Sequence, residues 1–255
     1  MTFLEAILLG ILEGATEFLP VSSTGHLILA SHLLDIPETP FLTSFLIAVQ
    51  LGAIAAVLLT YWRSFLDIQL LKKLFAAFLP TAIIGFLLYG LIKGFLLNNQ
   101  MVVVWALLIG GVALIIFERF HTERADGMDA PRDIRYRDAI LIGLFQSLAV
   151  VPGVSRSAAT IVGGLMLGIR RVAIVEFSFL LAVPTMLAAT GYDILKTYDT
   201  FEAGNISLLL AGAITAFIVA LIAVRFLIAF VKRYSFTPFG VYRILLALIF
   251  LVFVL

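Results

Sequence analysis

The sequence lacks cysteine altogether and has few charged residues for its length. Of its 255 residues, 62% are hydrophobic and only 13% are charged, and the mean hydropathy is +1.14. A soluble domain is usually about half apolar and about a quarter charged. The absence of cysteine excludes disulfides, zinc–thiolate centres and a catalytic thiol. The shortage of charge predicts an integral membrane protein, whose outer surface contacts membrane lipids.

Two further absences narrow the fold. The net charge of +1 gives no indication of a nucleic-acid partner. The alternation of apolar and polar residues that is typical of membrane β-strands is missing, so the fold is predicted to be all-α. The first segment has Glu5, Glu13 and Glu17 where a signal peptide has an uninterrupted apolar run. We therefore expect that segment to belong to the mature fold.

Six apolar segments are long enough to cross a bilayer, which takes about 20 residues per helix. They cover roughly 41–61, 75–97, 101–118, 173–191, 206–229 and 239–255. Charged residues collect at their ends, as expected for membrane spans. The chain is predicted to form a single membrane domain, 1–255, with about six transmembrane helices.

Two other apolar stretches, about 3–34 and about 138–170, do not fit as simple spans. Each is interrupted by a proline followed by Ser, Thr and Gly residues. Irregular backbone is tolerated at membrane depth only where protein or a wet cavity satisfies its polar groups. The pattern predicts two re-entrant helical hairpins, each entering and leaving on one side of the membrane.

The two hairpins resemble each other at an offset of about 133 residues, and paired broken segments of this kind are typical of repeats. The matched pairs are Gly10 with Gly143, Glu13 with Gln146, and Ser22 with Ser155. We predict a first repeat over 1–118 and a second over 138–255, joined by a cytoplasmic linker over 119–137. Each repeat has three full spans, so the two are expected to have inverted topology.

The distribution of basic residues supports this arrangement with the N-terminus outside. The predicted cytoplasmic segments contain Arg63, Lys72, Lys73, Arg119, Arg124, Arg132, Arg135, Arg137, Arg170, Arg171, Lys232 and Arg233. The outer segments contain Lys93 and Lys196, with Asp193, Asp199 and Glu202 nearby. This asymmetry agrees with the positive-inside rule.

Glu13 and Glu17 are the first residues that indicate chemistry. They are four positions apart, so a helix places both carboxylates on one face. Two acids there repel each other and are costly inside a membrane. A bound divalent cation would relieve both costs, because such cations prefer oxygen ligands. The alternative is a surface helix whose acids lie in water.

A polar motif follows these acids directly. Pro20 ends the first helical run, and Ser22, Ser23 or Thr24 can cap the next helix, whose first N–H groups form an anion site. His26 lies three residues after Ser23, so the two can act as nucleophile and proton acceptor. The alternative is an ordinary serine cap with a histidine used for packing.

The second hairpin contains a related motif. Gly153 permits close backbone approach, Ser155 and Ser157 flank Arg156, and Thr160 follows. A lone arginine inside an apolar hairpin needs an anionic partner, and its planar donors suit two phosphate oxygens. The alternatives are an arginine that reaches water and one that pairs structurally with an early glutamate.

Together the two motifs supply what phosphoryl transfer requires: a cation site, a nucleophile with a base, and a donor for transition-state charge. The remaining polar residues have simpler interpretations. Gln50 and Ser178 are expected to hydrogen-bond between helices, with contact to the substrate as the alternative. Arg225 and Arg243 are expected to extend to the cytoplasmic surface.

The segments EGATEFLPVSSTGH (13–26) and PGVSRSAAT (152–160) closely resemble the two signatures of the bacterial undecaprenyl-diphosphate phosphatase family, also called bacitracin-resistance proteins. EFSFLLAVP (176–184) is similar too. The resemblance implies an enzyme of the bacterial inner membrane that converts undecaprenyl diphosphate to undecaprenyl phosphate. It implies a divalent cation, Mg²⁺ or Ca²⁺, and a site open to the outer, periplasmic side. Ala158 departs from the family, which more often has Gly there.

The resemblance also implies roles for individual residues. Glu13 and Glu17 match the acidic pair that binds the cation or relays protons. Ser23 matches the proposed nucleophile with His26 as its partner, and Arg156 matches the diphosphate-binding residue. The expected supporting phosphate contacts are Ser22, Thr24, Gly25, Ser155, Ser157 and Thr160.

Three questions stay open at the level of sequence. The nucleophile is Ser23, His26 or an activated water. The oligomeric state is undetermined, and a homodimer is compatible with the pattern. The rival function is a polyprenyl-phosphate flippase or anion transporter, because secondary transporters also use inverted repeats with broken helices.

Overall fold

A computed structural model describes residues 1–97, 99–123, 126–197 and 203–253. These residues form helices and turns, with no β-strand among them. The helices of the first half are α1 (Phe3–Thr16), α2 (Ser23–Leu33), α3 (Pro40–Ala48), α4 (Gln50–Thr60), α5 (Ile68–Leu87), α6 (Tyr89–Leu91) and α7 (Gln100–Phe120). Those of the second half are α8 (Tyr136–Gln146), α9 (Arg156–Met166), α10 (Arg171–Thr197), α11 (Ala203–Val231) and α12 (Thr237–Phe253).

The prediction of an all-α, multi-pass membrane protein is confirmed. Within the described ranges, 5 helices are long and apolar enough to cross a bilayer, and Thr237–Val252 is a shorter apolar helix. The five are Pro40–Thr60, Ile68–Leu87, Gln100–Phe120, Arg171–Lys196 and Ile206–Val231. Their outward faces carry large exposed apolar side chains such as Ile83, Ile109 and Ile222. Lipid rather than water is the solvent that suits such surfaces.

The second predicted span, 75–97, has different bounds in the structure. Asp67 caps α5 by accepting hydrogen bonds from the Gln69 and Leu70 amides, so the helix begins at Ile68. It ends at Leu87, and a single helical turn and a π-helical segment, Ile92–Leu96, follow. The error arose because Lys72 and Lys73 were assigned to a loop, although a helix end tolerates charges.

Both predicted hairpins are pairs of short helices joined by a turn. α1 begins with a capping box between Thr2 and Glu5, and α2 begins after the Ser22 cap. α8 and α9 are joined through a 3₁₀ segment, Ser147–Val150, and a turn that ends at the Ser155 cap. The sequence signals for caps and helix breaks therefore located both helix pairs, and their re-entry on one side of the membrane stays a prediction.

The two hairpins pack against the long helices in corresponding ways. α1 packs on α11, and α8 packs on α5. The matched glycines form the close contacts: a Cβ on Gly10 would lie 2.5 Å from the Gly212 carbonyl oxygen, and one on Gly143 would lie 2.0 Å from that of Ala77. Small residues permit such close helix packing in membranes. This correspondence agrees with the predicted repeats, whose inverted orientation stays a prediction.

The main core lies where α4, α9, α10 and α11 meet. Phe177, Phe179 and Leu181 on α10 are fully buried there. The hairpin turns rest against this core because Phe18, in the first turn, packs edge-on to Phe179 with ring centroids 5.2 Å apart. Three residues that support the predicted topology lie outside the described residues. They are Arg124 in the linker and the outer acids Asp199 and Glu202.

Candidate active site

The two signature motifs form turns with the same unusual backbone. Ser22 and Ser155 have φ angles of 71° and 75°, in the left-handed region that non-glycine residues rarely adopt. Each serine caps the following helix: Ser22 Oγ accepts from the Gly25 amide at 3.3 Å, and Ser155 Oγ accepts from the Ala158 amide at 3.1 Å. Strained turns that persist in a fold often belong to functional sites.

The two turns are in direct contact although they are far apart in the chain. A Cβ on Gly25 would lie 3.5 Å from Gly153 Cα and 3.2 Å from Ser22 Oγ. Gly153 has a φ of 95°, and a Cβ there would lie 2.6 Å from the Val103 carbonyl oxygen. The two glycines therefore allow the turns and α7 to approach closely. The predicted convergence of residues 13–26 and 152–160 on one place is confirmed as geometry.

Ser23, Glu17 and Arg156 form one connected group. The Ser23 hydroxyl donates a hydrogen bond to Glu17 Oε2. Arg156 Nη2 donates to Glu17 Oε1 at 3.0 Å, which is an ion pair between the two signature motifs. All three side chains are nearly excluded from solvent. A serine whose proton faces a carboxylate, next to a guanidinium, is suited to attack on an anionic phosphorus centre.

The Arg156 guanidinium is held on its other side by α10. Its Nη1 donates to the Ser178 carbonyl oxygen at 2.5 Å and to Ser178 Oγ at 3.0 Å. The guanidinium is therefore fixed in orientation, and its Nε is buried without an acceptor among the described residues. The predicted interhelical role of Ser178 is confirmed.

Glu13 lies one helical turn before Glu17 and has the least satisfied carboxylate in the site. It is 0% exposed, and neither oxygen receives a hydrogen bond from the described residues. Glu17, Ser23 and Arg156 are close to it. An unsatisfied buried carboxylate is costly unless another group neutralises it. Hard cations prefer such oxygen ligands, and Mg²⁺ is commonly held by one or two carboxylates plus phosphate and water. No cluster of three or more His, Cys, Asp or Glu side chains that could hold a metal occurs among the described residues, so a cation here would have these two carboxylates as protein ligands and phosphate or water as the others.

The group opens into a cavity of about 520 Å³ between α5 and α10. Its polar lining is Glu17, Ser22, Ser23, Thr24, Ser155 and Arg156, together with Gln50, Thr81, Gln146, Thr185, Tyr89, Lys93, Tyr192 and Asp193. Its apolar lining includes Phe78, Ala82, Phe86, Met186, Ala188 and Ala189. A mostly apolar pocket with a few convergent polar groups is typical of a ligand site. This one suits a ligand with an anionic head and a hydrocarbon tail.

Comparison with known proteins agrees with this geometry. Residues 6–249 match the family described as bacitracin resistance protein BacA. The chain belongs to the BacA family. It is similar to the undecaprenyl-diphosphatase of Aquifex aeolicus, 50% identical over 100% of both chains. It is also similar to the undecaprenyl-diphosphatase of Thermus thermophilus, 51% identical over 98% of this chain and 97% of the relative. A third relative of that name, from Persephonella marina, is 52% identical over 100% of both chains.

In this BacA-family chain, His26 was predicted to face Ser23, but its ring nitrogens contact other groups. Its Nδ1 lies 2.7 Å from the Ser22 carbonyl oxygen, and its Nε2 lies 2.7 Å from the Tyr242 hydroxyl. The His26 and Tyr242 rings are also stacked, with centroids 5.5 Å apart. Because a carbonyl only accepts, Nδ1 is the protonated nitrogen and Nε2 accepts from Tyr242. The Ser23 hydroxyl is hydrogen-bonded to Glu17 and not to His26, and the catalytic roles of Glu17 and His26 stay predictions.

The remaining predicted phosphate contacts fall into two groups. Ser22, Thr24 and Ser155 line the cavity. Ser157 and Thr160 are fully buried behind it: Ser157 Oγ donates to the Phe18 carbonyl oxygen at 2.8 Å, and Thr160 Oγ1 lies 2.7 Å from Ser178 Oγ. Ser157 and Gly25 thus join the two hairpins, whereas Thr160 connects the second hairpin to α10. Their roles in substrate binding stay predictions.

Two expectations for single polar residues were wrong. Arg243 is 0% exposed and bonds to backbone carbonyls of both turns, at Pro20, Gly153 and Val154, instead of extending to the membrane surface. The sequence could not show this, because the carbonyls that bind it belong to distant segments. Gln50 lines the cavity and has no hydrogen bond to another helix in the described part of the chain. Arg225 is exposed on α11, and its extension to the cytoplasmic surface stays a prediction.

Proposed function

We infer that this chain is an undecaprenyl-diphosphatase that hydrolyses undecaprenyl diphosphate to undecaprenyl phosphate and inorganic phosphate. The observation that supports this most directly is the Ser23–Glu17–Arg156 group at one end of a cavity whose remaining lining is mostly apolar. The substrate has the same division, with a charged diphosphate and a polyprenyl tail. The full-length relatives named for this activity support the same conclusion. The product, undecaprenyl phosphate, is the lipid carrier that is used again in cell-wall synthesis.

The diphosphate is bound by groups that converge from both motifs. Arg156 lines the polar part of the cavity and contributes its positive charge. Ser23 and Arg156 are the first residues of α2 and α9, so the free N–H groups of two helix N-termini accompany them. The isoprene units next to the diphosphate lie along the apolar wall between α5 and α10. This arrangement directs the terminal phosphorus toward Ser23.

The chemistry follows from the hydrogen bond between Ser23 and Glu17. As Ser23 Oγ bonds to the terminal phosphorus, its proton passes to Glu17 and the bridging phosphorus–oxygen bond breaks, releasing undecaprenyl phosphate. Water then adds to the phosphoserine, the Oγ–phosphorus bond breaks, and Glu17 returns the proton to Ser23. Phosphate leaves, and the enzyme is regenerated. Arg156 stabilises the phosphoryl oxygens in both steps.

Glu13 and Glu17 are the residues that would hold a divalent cation, Mg²⁺ or Ca²⁺. The support is the buried Glu13 carboxylate, which has no hydrogen-bond donor among the described residues. Such a cation supplies charge neutralisation for the diphosphate oxygens when it is bound.

The proposed location is the bacterial cytoplasmic membrane, with the cavity open to the periplasmic side. The excess of basic residues in the predicted cytoplasmic segments supports this orientation. The inverted repeat and the homodimer are parts of the same proposal. Labelling of single cysteines on intact cells tests the orientation, and sedimentation in detergent tests the dimer.

Phosphate release from a polyprenyl diphosphate by the purified protein in detergent tests the function. Detergent provides no two compartments, so a flippase or transporter gives no signal. Arg156→Ala is expected to lower kcat on the order of 100-fold or more, because a donor to the transition state is lost. Arg225→Ala, an exposed arginine on α11, is the matched control and is expected to retain wild-type turnover.

Two results contradict the proposal. Absence of phosphate release by wild-type protein, with and without Mg²⁺ or Ca²⁺, would favour the transporter. Full activity of a folded Arg156→Ala variant would remove the assigned role of that residue.

A further inference from the structure

Arg243, on α12, connects the two signature turns from the side away from the cavity. Its Nη1 donates to the Val154 carbonyl oxygen at 3.1 Å and to that of Pro20 at 3.4 Å. Its Nη2 donates to the Gly153 carbonyl oxygen at 2.9 Å and to that of Ala106 at 3.0 Å. One guanidinium thus binds the first turn, the second turn and α7 at once.

The environment of Arg243 is unusual for a buried cation. Within the described ranges it has no carboxylate partner, and its Nε has no acceptor. Uncompensated charge at membrane depth is expensive, and residues that bear it there are usually functional. The neighbouring helix is shaped to receive it, because a Cβ on Gly110 would lie 2.0 Å from Nη2. The space on α7 and the four carbonyls together form a built receptor for this side chain.

The bonds to Arg243 also determine which way the turn peptides face. In a trans peptide the carbonyl oxygen and the amide hydrogen point in opposite directions. The Val154 carbonyl points at Arg243, so the amide N–H of Ser155 points away from it. Ser155 and Arg156 line the cavity, whereas Arg243 does not. The orientation of the Val154–Ser155 peptide therefore presents an N–H donor on the cavity side of the turn.

We propose that Arg243 is a positioning residue for phosphate hydrolysis, which orients the peptides of both turns and holds Ser23 and Arg156 where Glu17 bridges them. This inference rests on the proposed function. Arg243 does not touch the cavity, so its effect on substrate passes through the turns. A guanidinium suits the role because its planar donors reach four carbonyls at once, which a lysine ammonium cannot do.

The first test compares Arg243→Lys and Arg243→Ala with wild type, using phosphate release from farnesyl diphosphate in detergent. We expect kcat to fall about 100-fold in both variants, because small misplacement of reacting groups has effects of that size. We expect KM to stay within about threefold, because no group that binds substrate is removed. Monodispersity and melting temperature are measured on the same samples, and Arg225→Ala is the control. A purely structural role would lower the melting temperature without lowering the kcat of the folded protein.

A second variant displaces the guanidinium without removing it. Gly110→Ala places a methyl group 2.0 Å from Nη2, too close for the guanidinium to stay, and it does so in the interior of α7, where alanine favours the helix. We expect a lower kcat with the helix intact. Gly191→Ala on α10, where a Cβ would meet nothing within 4 Å, is the matched control and is expected to behave as wild type.

The outcomes separate this inference from the proposed function. If wild-type protein is active and folded Arg243→Lys or Gly110→Ala has the same kcat, the role of Arg243 is overturned. The proposed function then still holds. Wild type that releases no phosphate overturns the function, and the inference with it.

Discussion

Glu13 and Glu17 are identical side chains one helical turn apart, but their neighbours differ. Glu17 is paired with Arg156 and accepts from Ser23, whereas Glu13 is buried without a hydrogen bond from the described residues. The pattern in the sequence predicted both acids at the site, because burying two carboxylates on one face of an apolar helix has a high free-energy cost and is usually kept for function. Which of the two carboxylates is hydrogen-bonded to Ser23 depends on the position of Arg156. That position is set by a tertiary contact between the two motifs.

Glu13→Gln and Glu17→Gln are expected to differ in their response to metal. Glu17→Gln removes the proton acceptor for Ser23, so kcat should fall by about 100-fold or more at every Mg²⁺ concentration. Glu13→Gln weakens cation binding, so a higher Mg²⁺ concentration should recover most of its activity. Titration of both variants with Mg²⁺ checks this, and recovery of Glu17→Gln would contradict the assignment.

Glu13→Gln should also change stability in the opposite direction to activity. Replacing an unsatisfied buried carboxylate by a neutral amide removes a desolvation cost. The melting temperature of Glu13→Gln in EDTA is therefore expected to be higher than that of wild type. Active-site residues are commonly less than optimal for stability. An unchanged or lower melting temperature would indicate that the Glu13 carboxylate is already neutralised.

At the scale of elements, the helix breaks are as important as the helices. Both hairpins end their first helix and cap the second with a serine in the left-handed region, and both place a site residue first in the new helix. The proline and Ser/Thr/Gly clusters predicted these breaks, because they disfavour helix and supply caps. The left-handed φ of Ser22 and Ser155 could not be predicted, since it follows from how the turns pack on each other.

Substitutions at Ser155 test this backbone directly. Ser155→Ala loses the cap and keeps the strain of a left-handed residue with a Cβ, so it should destabilise the protein by about 1–2 kcal/mol. Ser155→Gly loses the cap but relieves the strain, so it should be more stable than Ser155→Ala. Melting temperatures in detergent decide the order. In a helix interior alanine is the more stable of the two, so the alanine variant melting above the glycine variant would contradict the turn geometry.

At the scale of the whole molecule, the site belongs to neither half alone. Glu17, Ser23 and α5 come from the first half, and Arg156 and α10 come from the second. The cavity between α5 and α10 thus joins the polar group to apolar walls that can contact a polyprenyl tail. The resemblance of the two motifs predicted that they meet, but the bounds of α5 were misplaced, so its contribution to the wall was missed.

Filling the apolar wall should affect binding more than chemistry. Ala188→Trp projects an indole into the cavity from α10. We expect KM for a polyprenyl diphosphate to rise about tenfold with a smaller change in kcat, because binding of the tail is lost while Ser23, Glu17 and Arg156 stay in place. Ile214→Trp, on an exposed position of α11, is the control. Equal effects of the two tryptophans would place the tail elsewhere.

The amino-acid sequence by itself determined the membrane class, the helical hairpins and the presence of Glu17, Ser23 and Arg156 in one site. Composition, helix-breaking residues and isolated charges in apolar segments are local properties, so they can be read along the chain. Only the tertiary structure decided the pairing of Ser23 with Glu17, the engagement of His26 by Tyr242 and the burial of Arg243. Each of these depends on a partner more than a helical turn away, and in the last two cases on the opposite end of the chain. The free energy of a buried polar side chain is set by the groups that satisfy it, and those are chosen by packing.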